Sequence, residues 1–471
     1  MTERFISAIG TYLPVLRLDR RAAAEALRFA GLGGRGSGRR AVAGWDEDPV
    51  TLAAEAARGL GATDRLVFAS TSAPFHERLH ATLVATALDL PPSIRTADVA
   101  GSRRCAASAV LDALLGAGTA MVAAGEKRAA RPGSAAHVGW GDGGAAVTVG
   151  TEGGARLIGH ASHSRDFLDI YASRSVPTPY AAEERFVRDR AAPLIVATAR
   201  AACEQAGIDP ARIAHAAVHE PLPGMWRDIA GALGTKADNH GDTVERLAGD
   251  LGAAHALFAL SLALAAAHPG EIVLLAGFGS GCDALLLEVS GPVPGAGDAR
   301  VLLDRGLLLR DYVRFLSLTD AVALDFGVRA EFEQKSQATV AERHGCDAMA
   351  FVGGRDAAGS VQFPKSRIPV RPGAAGPEPM TDVRLADEAA TLVSVTADRL
   401  NYTPDPPFWF GLVQFDLGAR VMMELTDADA EGFAVGDRLR MRMRIKSLDR
   451  RRGMRSYFWK AAPEARPSLE S

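Results

Sequence analysis

Two stretches of the chain carry the same parts in the same order, and that repetition restricts it to folds built from two superposable halves. In the first, an apolar run at residues 66–70 precedes a helical pattern. A segment from Asp98 then passes through a tight turn into a small-residue helix at Cys105, and apolar runs at 119–125 and 141–149 follow. In the second, residues 216–220 precede a helical pattern, 248–255 open another small-residue helix, and 272–277 and 279–287 follow. Short β-rich runs alternating with longer Ala/Leu helical patterns read as α/β with mostly parallel strands. A duplication of this kind places two equivalent turn-and-helix elements about a pseudo-twofold axis, so one pocket draws groups from both halves.

Composition narrows the function classes. A length of 471 residues suits two to three domains, and 48% hydrophobic residues are ample for buried cores. Lys+Arg 53 against Asp+Glu 56 leaves no basic footprint for nucleic acid. The opening Met1-Thr-Glu-Arg-Phe-Ile has an early acid and no continuous apolar core. The longest apolar stretch, 253–267, is interrupted by His255 and too short to cross a bilayer, so a cytoplasmic protein with no membrane partner is the expectation. Cys105, Cys203, Cys282 and Cys346 lie far apart, without a Cys-x-x-Cys pair. That spacing suggests neither a disulfide framework nor a cysteine zinc site. Each reads as a small buried hydrophobe, and only Cys105 stands in a context that invites chemistry.

The repeat divides into halves at 1–165 and 166–291. Pro292-Val-Pro-Gly-Ala-Gly297 punctuates the chain, and residues 292–345 read as a linker with a charged connecting helix running to Glu342. Short strands are expected in 346–380, and 381–471 is strand-rich. Strict alternation over 438–445 puts Leu439, Met441, Met443 and Ile445 on one face and four arginines on the other, which suits a small barrel. A solvated face is the expectation for those arginines, set against contact with ligand phosphates or an acidic partner domain.

Gly44-Trp-Asp-Glu-Asp-Pro-Val-Thr-Leu-Ala53, the Gly141-Asp-Gly-Gly-Ala145 turn and the Gly277-Phe-Gly-Ser-Gly281 loop, in this order, resemble the 3-hydroxy-3-methylglutaryl-CoA synthase and ketoacyl synthase III branch of the thiolase superfamily. The resemblance implies a duplicated, five-layered αβαβα thiolase-like fold over roughly the first 290 residues, a homodimer, and a coenzyme A thioester as substrate with no permanently bound cofactor. It also implies a catalytic thiolate, a histidine and an asparagine that bind the thioester carbonyl, and a glutamate as general acid/base. His219, in Val218-His-Glu-Pro, matches the histidine. Asp250, in Gly249-Asp-Leu-Gly-Ala-Ala254, stands at the asparagine position. As an ionised group it would repel an oxyanion, so it is expected to be protonated, turned toward His219, or used as a base.

The nucleophile and the glutamate depart from the pattern. In Asp98-Val-Ala-Gly-Ser-Arg-Arg-Cys105 the family's cysteine position holds Arg103. Arg104 is next, and Cys105 falls two residues late, a displacement of more than half a helical turn. An arginine forms no acyl-enzyme; Arg103 and Arg104 are candidates for binding CoA phosphates or a substrate carboxylate, with solvent or a salt bridge as the alternative. Thr71 stands where the glutamate is expected, with His76 and Glu77 nearby on a loop. Gly279, Ser280 and Gly281 are assigned to CoA binding by the same likeness.

The C-terminal part resembles OB-fold proteins, preceded by a zinc ribbon, that partner thiolase-like enzymes acting on acyl-CoA. The matching stretches are Tyr402-Thr-Pro-Asp-Pro-Pro-Phe-Trp-Phe-Gly-Leu-Val-Gln-Phe415 and Gly453-Met-Arg-Ser-Tyr-Phe-Trp-Lys460. This implies a degenerate rubredoxin-like ribbon over 346–380 and an OB fold over 381–471 that helps bind CoA or covers the enzyme's tunnel. The ribbon's four metal positions fall on Arg355, Ala358, Pro369 and Ala374, so no zinc is expected. Three readings follow. One is carbon-carbon bond chemistry beside a CoA thioester, with His219 and Asp250 as acid/base groups and, in one version, retro-aldol cleavage of a β-hydroxyacyl-CoA without an acyl-enzyme. Another is acyl transfer through Cys105 on a remodelled turn, and the last a non-catalytic CoA-thioester binding or scaffold protein.

Overall fold

The computed structural model describes residues 3–32, 36–171, 179–325, 345, 347–449, 452–467 and 469; Cys346 and the connecting helix expected up to Glu342 fall largely outside them. The chain divides into two compact units, Met1–Gly44 with Asp48–Ala85 and Pro91–Ala321, and Trp45–Glu47 with Thr86–Leu90 and Val322–Ser471.

In the first unit ten strands share one sheet, in the order Asp238–Asn239, Ile213–Val218, Ile272–Phe278, Gly281–Val289, Ala155–Ser164, Phe5–Tyr12, Gly143–Gly150, Ala120–Glu126, Arg65–Ala69, Arg95–Val99. Cut between Ala155–Ser164 and Phe5–Tyr12, it gives two five-stranded halves with matching topology, so strand Ala155–Ser164 belongs to the second half and not to the first, expected to run to residue 165. In each half the strand next to the outer edge runs parallel to both neighbours, and the inner pairings are antiparallel. The sheet is therefore mixed rather than mostly parallel. A connection as short as Gly279-Ser280, between Phe278 and Gly281, permits only antiparallel pairing.

Helices Cys105–Leu115 and His255–Ala266 share one apolar cluster with strands of both halves. Their small residues allow close approach, and His255–Leu264 are buried all round, as the central layer of a five-layer stack requires. Helices Pro49–Ala57 and Glu184–Ala206 cover the outer faces. The first of these starts on a capping box, in which the Asp48 side chain accepts from Val50 and Thr51 while the Thr51 hydroxyl receives the Asp48 N–H. Leu307–Leu309, expected in the linker, instead pairs in parallel with Leu16–Asp19 inside this unit, because three consecutive leucines extend a small sheet completed by Arg39–Val42.

The second unit contains a five-stranded sheet in the order Arg420–Glu424, Phe408–Phe415, Ala390–Asp398, Arg438–Asp449, Met454–Pro463. A bridge between Leu425 and Ala461 brings its outer edges together, closing an OB-type barrel. Leu439, Met441, Met443 and Ile445 point into its core with Val413, Phe415 and Trp459. A separate three-stranded sheet, Val361–Gln362, Val352–Arg355 and Thr381–Arg384, precedes it. The side chains at Arg355, Ala358, Pro369 and Ala374 offer no thiolate or imidazole. Here the turn is closed by Asp356, which accepts from the Ala358 and Ser360 amides and from Arg371 Nε at 2.8 Å.

The solvated arginine face holds for Arg438, paired with Asp416 at 2.8 Å, but not for Arg442 and Arg444, which are buried. Arg444 has no exposed surface and lies 3.2 Å from Glu47 and 3.0 Å from Asp427. Lys460 is 2.8 Å from Asp46 and 3.1 Å from Glu424, with its ammonium 4.4 Å from the centre of the Trp45 ring. Alternation along a strand identifies two faces, but not what covers the polar one. Removing one member of a buried ion pair strands the other, so Arg444→Ala is expected to cost about 3–5 kcal/mol in urea unfolding of this unit. Arg438→Ala is expected to cost less than about 1 kcal/mol.

Candidate active site

Strand Arg95–Val99 runs into a turn whose tip is Ser102 to Arg104, and helix Cys105–Leu115 begins there. Asp98 does not point toward that turn; it accepts from the His80 and Ala81 amides at 2.9 and 2.8 Å and from His80 Nδ1 at 2.7 Å, holding the start of the neighbouring helix. The turn packs on the second half through Ser102 Oγ, which donates to the Gly279 carbonyl at 2.7 Å. Gly279, at φ +155°, lies so close that a Cβ there would meet Ser102 Oγ at 2.2 Å. The 279–281 loop thus supports the turn by its smallness.

Arg103 and Arg104 diverge. Arg104 lies against the second half, donating to the His163 carbonyl at 3.1 Å and Ser164 Oγ at 3.3 Å, with Asp283 at 3.7 Å. Those contacts engage it in packing. Arg103 turns inward, pairs with Asp169, and reaches within 3.8 Å of Asp250.

His219 follows strand Ile213–Val218, and its amide donates to the Ala276 carbonyl at 3.0 Å. Its ring stacks on His255, centroids 4.7 Å apart. Nε2 lies 2.8 Å from Asp250 Oδ1, out of line for a well-directed hydrogen bond. Burial pushes Asp250 up, yet Arg128, His219 and Arg103 together outweigh it and hold the carboxyl well below the usual range. An ionised Asp250 favours the His219 tautomer with Nε2 protonated, which leaves Nδ1 as the basic nitrogen. Burial also lowers the His219 pKa, partly opposed by Asp250, so the imidazole is neutral. His255 is a support: Nε2 donates to the Gly241 carbonyl at 3.2 Å and Nδ1 accepts from the Leu251 amide at 3.2 Å. Burial pushes its pKa down to about 3.

Two residues of this cluster went unnoticed in the sequence. Arg128 lies 3.1 Å from Asp250 Oδ1, donates to the Asp250 carbonyl at 2.5 Å and stacks 4.1 Å above the Trp140 ring. Glu126 ends strand Ala120–Glu126 with no exposed surface. It accepts from the Thr71 amide at 2.6 Å, Thr71 Oγ1 at 3.1 Å, Ser72 Oγ at 2.6 Å and the Ala253 amide at 3.4 Å. Burial raises its pKa more than Arg128 and these bonds lower it. The available signal was a lone carboxylate closing an otherwise apolar strand.

Cys105 is buried at the helix start, with the Ser70 amide and Glu126 near its thiol. Burial, reinforced by the Glu126 carboxyl, pushes the thiol far above its ordinary pKa, so it carries no thiolate at neutral pH. His219, Asp250 and His255 place one potential metal-ligand atom each within 4.8 Å of one another. They make a poor cation site: both His255 nitrogens are engaged, and two guanidinium groups already neutralise Asp250.

A cavity of about 290 Å3 opens beside Ser70. Phe68, Phe75, Leu79, His80 and Val99 line it, with His76 and Arg78 at exposed positions. Glu77 is likewise exposed.

Comparisons with known proteins agree with this architecture. Residues 382–444 match the family model described as "ChsH2, C-terminal OB-fold domain". The hydroxymethylglutaryl-CoA synthase of Aeropyrum pernix is 27% identical over 347 residues, covering 69% of this chain and 93% of that protein. That of Pyrococcus furiosus is 27% identical over 304 residues, covering 60% and 84%. Among solved structures, MvaS in complex with 3-hydroxy-3-methylglutaryl coenzyme A superposes with a TM-score of 0.57 at 20% identity, covering 69% of this chain and 94% of that one. An HMG-CoA synthase complexed with CoA gives 0.58 at 16%, covering 71% and 95%. The chain has a thiolase-like α/β fold with an OB-fold domain at its C-terminal end.

Proposed function

We propose that this protein is an enzyme that makes or breaks a carbon-carbon bond next to the carbonyl of a coenzyme A thioester, without forming an acyl-cysteine. The observation that carries the reading is the turn before helix Cys105–Leu115. It sends Arg103 toward Asp250, while the Cys105 thiol stays buried and protonated beside Glu126. An unionised thiol is a poor nucleophile, and a guanidinium is none, whereas a neutral His219 held by an ionised Asp250 suits general-base work. The likeness to hydroxymethylglutaryl-CoA synthases supports the thioester substrate.

For cleavage of a 3-hydroxyacyl-CoA, His219 Nδ1 takes the hydroxyl proton, the Cβ–O bond becomes a carbonyl, and the Cα–Cβ electrons pass to the thioester enolate. The His219 imidazolium then returns that proton to the enolate at Cα, giving a carbonyl compound and a shorter acyl-CoA. The Arg103 and Arg128 guanidinium groups supply positive charge near the developing enolate oxygen, and the cavity beside Ser70 takes the acyl chain. The protein acts as a homodimer in the cytoplasm; strand Arg95–Val99, with Arg95, Ala97 and Asp98 exposed, is an open sheet edge suited to a second copy.

Intact-mass measurement after incubation with acetyl-CoA and longer acyl-CoAs is expected to show no covalent adduct. Turnover of a 3-hydroxyacyl-CoA is expected to survive Cys105→Ala within about threefold. An adduct that disappears in Cys105→Ala would overturn the reading in favour of acyl transfer. The ion-paired chain Asp169–Arg103–Asp250–Arg128 favours a second reading, a non-catalytic thioester-binding protein. Binding of CoA thioesters without turnover across short, long and branched 3-hydroxyacyl groups would select it.

A further inference from the structure

Flat side chains and an unspent hydrogen-bond donor wall the cavity to which the acyl group is assigned. We infer that the group carried on the hydroxyl-bearing carbon of the substrate is an aromatic ring with an oxygen substituent, so that cleavage releases an aromatic aldehyde. Three observations converge on it. A cavity of ~150 Å3 lined by aliphatic and aromatic side chains holds one benzene ring, so about 290 Å3 takes a ring together with a short substituent. The rings of Phe68 and Phe75, both in the lining, each stack on His80, with centroids 5.2 and 5.6 Å away and planes tilted by 24° and 20°. A further ring meets such a wall stacked or edge-on at ~4.5–7 Å, a contact that a flexible chain does not make. Finally, Ser70 lines the cavity with 1% of its surface exposed; its Oγ accepts from the Ser72 amide at 3.1 Å, and among the described residues nothing accepts its hydrogen. A buried hydroxyl hydrogen without an acceptor costs stability, and a ligand oxygen removes that cost.

The other polar groups of the wall are engaged. Asp98 accepts from the His80 and Ala81 amides and from His80 Nδ1, and His80 Nε2 accepts from the Phe75 amide at 3.1 Å. Neither offers a free charge, so the oxygen on the ring is neutral, an ether, hydroxyl or carbonyl rather than a carboxylate. His76 and Arg78 stand at exposed positions, and the Arg78 guanidinium lies 5.0 Å from the centre of the Phe75 ring. Val99 and Ala100 line the cavity and lead into the turn that carries Arg103 toward Asp250. A ring attached directly to the hydroxyl-bearing carbon thus leaves that carbon at the end of the cavity nearest the turn. In a 3-aryl-3-hydroxypropionyl-CoA the Cα–Cβ bond breaks, His219 takes the hydroxyl proton and returns it to Cα, and the products are an aryl aldehyde and acetyl-CoA.

The inference rests on the carbon-carbon bond reading, and its test separates the two. The full chain is assayed with 3-hydroxy-3-phenylpropionyl-CoA, its 2-, 3- and 4-methoxyphenyl analogues, 3-hydroxyhexanoyl-CoA and 3-hydroxybutyryl-CoA, following the aldehyde by ultraviolet absorbance and acetyl-CoA by mass. The kcat/KM of the best aryl substrate is expected to exceed that of 3-hydroxyhexanoyl-CoA by roughly tenfold or more. One methoxy position is expected to be preferred over the unsubstituted ring by about three- to tenfold, and Ser70→Ala to erase that preference while leaving the unsubstituted ring within about twofold. Ala73→Leu, which adds bulk to the cavity and keeps Ser70, is expected to lower kcat/KM for every aryl substrate by roughly tenfold or more and to leave 3-hydroxybutyryl-CoA within about threefold. Cleavage of 3-hydroxyhexanoyl-CoA as efficiently as every aryl substrate, or an effect of Ser70→Ala that is equal for oxygenated and unsubstituted rings, would overturn the aryl assignment and leave the carbon-carbon bond reading standing. Binding of these thioesters without cleavage of any overturns both.

Discussion

Replacing His219 with alanine is expected to reduce cleavage of a 3-hydroxyacyl-CoA by roughly 10²–10⁴-fold, the range spanned by loss of a positioned general base. The ring is the only imidazole of the cluster with a basic nitrogen not already engaged, since His255 donates to Gly241 and accepts from Leu251. His255 therefore does not substitute for it. The loss is expected in kcat rather than KM, because the hydroxyl proton moves only in the transition state. Stability falls as well: the alanine leaves a cavity against the His255 ring and removes one of the groups that hold Asp250 ionised. His219→Gln keeps a polar side chain beside Asp250 but supplies no base, so it is expected to recover unfolding stability without recovering kcat. Activity of His219→Ala within threefold of the native protein, with its fold intact by circular dichroism, would refute the assignment.

The repeated order of strand, turn and small-residue helix was legible because the duplication preserves spacing even where the residues differ. Topology recovered from spacing could not say which pairings are antiparallel; the brevity of the Gly279-Ser280 connection decides that, and its meaning is plain only once Phe278 and Gly281 are seen to end and begin strands. The alternation of Arg438 to Ile445 gave the correct inner face of the barrel but misjudged its outer one, because the acids that bury Arg444 are contributed by Glu47, far away in sequence, and Asp427. At the site, motif spacing picked out Arg103, His219 and Asp250, which converge. Arg104 carries the same charge as Arg103, yet one residue's rotation turns it toward His163. Glu126 and Arg128 escaped because no motif marks them. Their significance lies in what faces them, Thr71 from the turn after strand Arg65–Ala69 and Asp250 from the other half.

Asp250→Ala is expected to have the largest effect on stability within this cluster. The carboxylate sits among Arg103, Arg128 and His219, with Nη atoms of the two arginines 3.8 and 3.1 Å away. Its loss leaves Arg103 with its Asp169 pair and takes from the buried Arg128 guanidinium the carboxylate 3.1 Å away, which costs about 3–5 kcal/mol for a broken buried pair. The pH dependence gives an independent check. The folded-state pKa of Asp250 is held well below that of an unfolded aspartate, about 3.9, so its stabilisation is fully present above about pH 4 and is lost as pH falls through the folded value. Urea unfolding of the native protein and of Asp250→Asn is therefore expected to differ most near pH 7 and to converge as the pH falls below the unfolded-state value toward the lower folded one. Asparagine keeps the volume and removes only the charge, so a constant gap across that range would mean that packing, not ion pairing, holds the site together. Catalysis should follow the same charge: without Asp250 to orient and polarise it, His219 keeps its ring but loses the partner that stabilises its imidazolium. Asp250→Asn is accordingly expected to lower kcat by about 10²-fold or more even at a temperature where it remains folded.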